Sequence, residues 1–181
     1  GRFLTETLAR EGCDISQVQI DPQRLTALVV LGLKDRDTFP LLFYRENCAD
    51  MAIDPALIDV SFIAGCRALL ITGTHLSAPT VREASRVALT HAGTHQVLRV
   101  LDIDYRPVLW GLTKRGEGAN RFVADTHVTA QLQAMLPLFD LLIGTEEEFL
   151  IAGGVAGDLL ASLRAVRAVT PAALVVKLGA A

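Results

Sequence analysis

Several protein classes are excluded by what the chain lacks. Its three cysteines, Cys13, Cys48 and Cys66, are odd in number and form no C-x-x-C pair, which argues against a disulfide framework and against a zinc site. They read as small buried hydrophobes. Neither sign of charge dominates. With 17 basic and 20 acidic residues, well mixed, the net charge is −3, so there is no basic patch for nucleic acid and no polybasic membrane signal. The longest apolar runs, such as residues 69–71 and 141–143, are far too short to span a membrane, and a cytoplasmic protein is expected. No G-x-G-x-x-G follows a strand-like run and no G-x-x-x-x-G-K-[ST] occurs, so neither a Rossmann dinucleotide site nor a Walker loop is supported. His91 and His95 stand four apart with Gly93 between them, and without an H-E-x-x-H they are not expected to bind metal.

What is present is a core. A length of 181 residues with 51% hydrophobic content suits one domain with a substantial buried interior. Phe3, Leu4 and Leu8 at helical spacing before Gly12 predict a helix over residues 2–11 with its apolar face in the core. Two strand-like runs, 26–33 and 39–44, flank the polar stretch 34–38 and predict a hairpin. From residue 67 the pattern alternates. Apolar strands are expected at 68–72, 96–102, 140–143 and 173–177, with helices between them at 79–92, 127–136, 146–152 and 157–168. Ser77 is the expected cap of the first of these helices, and Gly153, Gly154 and Gly157 mark a linker between the last two. This alternation predicts an α/β fold: a mainly parallel sheet with helices on both faces, plus the hairpin near its start.

Gly73, Asp102, Gly144 and Gly179 then fall at the carboxyl ends of the four strands, the rim where open α/β sheets bind ligands. The densest chemistry on it is Asp102-Ile103-Asp104-Tyr105-Arg106-Pro107, followed by Leu109 and Trp110, the only tryptophan. A charged, solvated loop is the plain alternative. Pro107 fixes the chain direction and Trp110 follows at once, so an anchored loop is expected, with Arg106 holding Asp102 and Asp104 ionised. Arg45 weighs two ways as well. Its planar fork suits a carboxylate, but a surface pair with Glu46 or Asp50 is the simple reading. Glu146, Glu147 and Glu148 at a helix start complement the helix dipole. Lys177, ending an apolar strand, either approaches phosphate or snorkels to solvent.

Asp102-Ile103-Asp104-Tyr105-Arg106 with Leu109-Trp110 resembles the D-x-N-x-R…LW segment of the ribokinase-like (PfkB) sugar kinases, with Asp104 where many members have Asn. Phe43-Tyr44-Arg45-Glu46-Asn47-Cys48-Ala49-Asp50, Gly73-Thr74-His75-Leu76 and Gly144-Thr145-Glu146-Glu147-Glu148 resemble sugar-acid kinases of the same superfamily, in the same order. The resemblance implies a ribokinase-like fold in which 26–45 is a lid hairpin over the sugar site and sometimes a homodimer contact. It implies ATP and Mg²⁺ as cofactors and phosphorylation of a small sugar acid, with 5-dehydro-2-deoxy-D-gluconate of inositol breakdown foremost. A 2-keto-3-deoxygluconate-type kinase and a non-catalytic sugar-binding module are the alternatives. Tyr44, Arg45, Asp104 and Arg106 are then the substrate-binding residues, with Arg106 also meeting charge during transfer. Glu147 matches the glutamate of the family's N-x-x-E motif, supporting Mg²⁺ indirectly, although Gly144 stands at the Asn position. Lys177 and Gly179 border the nucleotide. The family's catalytic base lies in a G-A-G-D segment that does not occur here, and the chain opens in a helical pattern and stops just after a strand. A partial kinase domain, inactive alone, is therefore expected.

Overall fold

A computed structural model describes residues 1–33, 35, 41–114 and 122–179. Helix α1 (Arg2–Arg10) ends where Gly12, at φ +81°, lets the Gly12 and Cys13 N–H groups donate to the Ala9 and Leu8 carbonyls. That closes the last turn as the glycine predicts. The apolar side of α1 is not core, however. Phe3 is 75% exposed, and Leu4 and Leu8 are also exposed, because periodicity specifies a face and not the surface that covers it. Strands β1 (Leu28–Leu31) and β2 (Leu41–Tyr44) pair antiparallel, Leu28 opposite Tyr44 and Leu31 opposite Leu41. The expected turn at 34–38 lies outside the described residues, apart from Asp35. Among the cysteines Cys48 is buried, Cys66 is partly buried and Cys13 is exposed, so the reading of all three as buried hydrophobes holds fully only for Cys48.

After the short helix α2 (Val60–Ala64), the main body alternates as expected. Strands β3 (Ala68–Thr72), β4 (Leu98–Asp102), β5 (Leu141–Thr145) and β6 (Ala173–Lys177) form one parallel sheet in the order β3-β4-β5-β6. Helices α3 (Pro79–Thr94), α4 (Thr126–Met135), α5 (Glu146–Gly153) and α6 (Leu159–Val169) accompany it. Leu101, Leu142, Leu89, Leu136, Phe139 and Phe149 are fully buried in a shared core, and each such side chain contributes about 1.5–3 kcal/mol. Asp125 and Asp158 cap α4 and α6 by accepting from the Val128 and Ala161 N–H groups. Ser77 does not cap α3. Pro79 needs an extended residue before it, which makes Ala78 the cap position, and Ser77 Oγ donates instead to the Thr74 carbonyl at 2.7 Å. Helix α3 also continues through Gly93 to Thr94.

Candidate active site

The strand ends converge through close backbone contacts. At the end of β3, a Cβ on Gly73 would lie 1.9 Å from the Ile103 carbonyl oxygen, and at the end of β5 one on Gly144 would meet the Ile103 side chain at 2.9 Å. Only glycines let the segment after β4 sit this deep between its neighbours. Ile103 is buried, and its N–H donates to the Ile143 carbonyl at 2.8 Å, extending β4 beyond Asp102. The chain then turns at Asp104, whose φ of +32° is rare for a residue with a side chain and best tolerated by Asp or Asn.

Glu148 ties this turn to helix α5. Thr145 and Glu148 form a reciprocal cap: Glu148 N–H donates to Thr145 Oγ1, and Thr145 N–H donates to Glu148 Oε2 at 2.8 Å. The other oxygen, Oε1, accepts from the Tyr105 N–H at 3.2 Å and lies 3.9 Å from Arg106 Nη1. Glu148 is only 4% exposed, so it is a buried carboxylate satisfied by two backbone donors and a neighbouring cation. Glu146 and Glu147 are exposed. Of the three glutamates, then, Glu148 faces the rim, and Glu147, the residue singled out from sequence, faces solvent. The Thr145-x-x-Glu148 spacing was the available signal.

Arg106 pairs with Asp104 at 2.5 Å and donates to the Tyr105 carbonyl at 2.9 Å. It does not hold Asp102 as expected. Lys177 reaches Asp102 instead, with Nζ 3.3 Å from Oδ1, bridging the ends of β6 and β4 across β5. Gly179, two residues after Lys177, has φ +83°. Tyr105 anchors the loop from beneath: its hydroxyl donates to the Val123 carbonyl at 2.6 Å, and burial, reinforced by Asp125, pushes its pKa up to about 12. Pro107 is buried and Trp110 packs against the core, so the loop is anchored as expected.

Tyr44 and Arg45 end the hairpin. Tyr44 is 42% exposed, whereas the Arg45 side chain is largely covered and pairs with Asp50, the partner offered by the simple reading of the sequence. His75, in the turn after β3, lies within electrostatic reach of both. Burial holds its imidazole below its ordinary pKa, Arg45 adds to that shift, and Asp50 opposes it. The Arg45 and Gly73-Thr74-His75 motifs, 30 residues apart in sequence, thus meet at the β3 end of the rim. Arg24, Cys48, Met51, Asp54 and Thr80 are among the residues lining a cleft of about 430 Å³, and Met51 Sδ lies 3.5 Å from Arg45 Nη2. Among the described residues no three His, Cys, Asp or Glu side chains are grouped as a metal ligand set, and no helix is long and apolar enough to cross a membrane.

No family model matches the chain. Over 150 residues, 82% of this chain, it is 35% identical to 5-dehydro-2-deoxygluconokinase 2 of Bacillus cereus, and it spans 42% of that relative's length. Among solved structures, a PfkB protein from Polaromonas sp. JS666 matches 99% of this chain and 57% of its own at TM-score 0.79 and 25% identity. A fructokinase from Vibrio cholerae O395, solved with fructose, ADP and calcium ion, matches 99% of this chain and 53% of its own at TM-score 0.74 and 21% identity. In sequence the chain is similar to 5-dehydro-2-deoxygluconokinases over most of its length, and its fold is that of the ribokinase-like (PfkB) carbohydrate kinases.

Proposed function

We propose that the protein carrying this chain is an ATP-dependent kinase that phosphorylates a sugar acid, 5-dehydro-2-deoxy-D-gluconate in inositol breakdown. The observation that carries this reading is the 35% identity to a kinase of that name, over a chain whose matching motifs meet at one sheet rim. In this reading Tyr44 and Arg45 recognise the sugar acid from the hairpin side, Asp104 and Arg106 hold it from the β4 side, and Lys177 and Gly179 border the nucleotide. ATP supplies the phosphoryl group and Mg²⁺ neutralises its charge. Mg²⁺ keeps most of its waters and takes one or two carboxylates. Exposed Glu147 fits such a role through water, because Asp102, Asp104 and Glu148 are already engaged by Lys177, Arg106 and two N–H groups.

The same engagement bears on the base. A group that removes the acceptor hydroxyl's proton must be positioned and able to accept it. The rim carboxylates are committed elsewhere, so the reading assigns the base to a segment outside these residues. The hairpin is also assigned a homodimer contact, supported by four consecutive exposed apolar residues, Leu28 to Leu31.

The test is ADP release by the full-length protein with 5-dehydro-2-deoxy-D-gluconate, 2-keto-3-deoxygluconate and fructose. Highest kcat/KM on the first supports the assignment. A preference for fructose overturns the acid-kinase reading.

A further inference from the structure

Arg45 and Asp50 are joined in an unusual way. A guanidinium has two hydrogen-bonding edges, one from Nε and Nη2 and one from the two terminal nitrogens. Asp50 takes the first edge with a single oxygen: Arg45 Nε donates to Oδ2 at 2.8 Å, and Nη2 donates to the same atom. Asp50 Oδ1 is left buried with no partner among the described residues. Buried polar atoms are almost always paired, and a stabilising ion pair would be expected to use both oxygens in a two-by-two fork. The arrangement serves the orientation of Arg45 better than it serves stability. On the other side, Nη2 also donates to Met51 Sδ at 3.5 Å, and a thioether is a weak acceptor for a cation's N–H. Met51 lines the 430 Å³ cleft, so the side chain that covers the weakly satisfied end of Arg45 is the one that borders open space.

We propose that Asp50 is a positioning residue for acid recognition: it clamps Arg45 along its Nε edge so that the edge formed by the two terminal nitrogens, of which Nη2 is at present beside Met51, meets the carboxylate of a sugar acid entering from the cleft. The proposal rests on the sugar-acid reading above. It assigns Met51 a definite place too, since a substrate oxygen takes the position its sulfur now holds. His75 stands beside the pair, and its burial disfavours the charged imidazolium that would compete with Arg45 for Asp50.

The test uses the full-length protein with Asp50→Ala, Arg45→Ala and the double variant, with Asp50→Asn as the second single variant should the alanine change prevent folding. Asp50→Ala, or Asp50→Asn in its place, is expected to raise KM for the sugar acid about tenfold, the loss of one charge-assisted contact. It should change kcat by less than about threefold and leave KM for a neutral sugar of similar shape unaltered. In the Arg45→Ala background the same change should have no further effect. Three results would overturn the proposal: an equal rise for acid and neutral sugars, a full additional rise in the Arg45→Ala background, or a lower KM for the acid, which would make Asp50 a competitor for Arg45. Wild-type protein that binds no sugar acid would instead overturn the parent reading, a result visible before any variant is compared.

Discussion

Glu148 serves as helix cap, loop anchor and counter-ion at once, so its loss should register first in stability. Glu148→Ala leaves the Thr145 and Tyr105 N–H groups without their acceptor beside a cation, which should cost about 1–3 kcal/mol in urea unfolding. Glu147→Gln on the exposed side should cost little, and comparable losses for the two would show that Glu148 is not the anchor. His75 gives a pH signature. Its folded-state pKa lies below the ordinary value of 6.5, so below that pH the unfolded chain takes up a proton that the folded chain refuses. Stability should therefore fall as pH drops from 6.5 toward the folded pKa. Melting curves at pH 7.5 and 5.5 should differ less for His75→Gln than for wild type, and an equal difference would contradict the assignment. At this scale the sequence located ionisable residues at the rim but not the partners that the structure gives them. Which of three consecutive glutamates turns inward depends on the helix phase set by its Thr145 cap, and which carboxylate Lys177 meets depends on strand order, something local spacing does not encode.

The elements were more legible. All four parallel strands and the helices between them follow from apolar runs and periodicity, and the errors sit at their edges, where one residue's geometry decides. Pro79 moved the cap of α3 from Ser77 to Ala78, and α3 passed through Gly93 because a glycine inside a well-packed helix costs only about 1 kcal/mol. The α5–α6 pair carries a sharper constraint. A Cβ on Gly153 would lie 2.5 Å from the Ser162 backbone, so the two helices touch through bare backbone at that point. Gly153→Ala should force them apart and lower stability by about 1–3 kcal/mol, read as a drop in melting temperature. An unchanged melting temperature would mean that the contact is not tight. Nothing in the spacing of Gly153, Gly154 and Gly157 separates a contact glycine from a turn glycine. Only Gly154 and Gly157 have positive φ.

At the scale of the molecule, the described residues present many uncovered apolar side chains: Leu70 at the sheet edge, Leu98 and Val175 in the sheet, Leu178 beyond it and Phe3 on α1. Surface of this kind promotes association. An isolated 1–181 chain should therefore self-associate in light scattering and release no ADP with sugar acid, while the full-length protein does. Activity of the isolated chain near that of the full-length protein would show that the base is among these residues after all. If the β4 rim meets charge during phosphoryl transfer, Arg106 is the residue that should show it. Groups that act more strongly on the transition state than on the bound substrate change kcat rather than KM. In the full-length protein, Arg106→Lys keeps the charge and loses the fork held by Asp104 and the Tyr105 carbonyl. The expected result is a fall in kcat of about a hundredfold or more at nearly unchanged KM; an unchanged kcat would return Arg106 to a purely structural role.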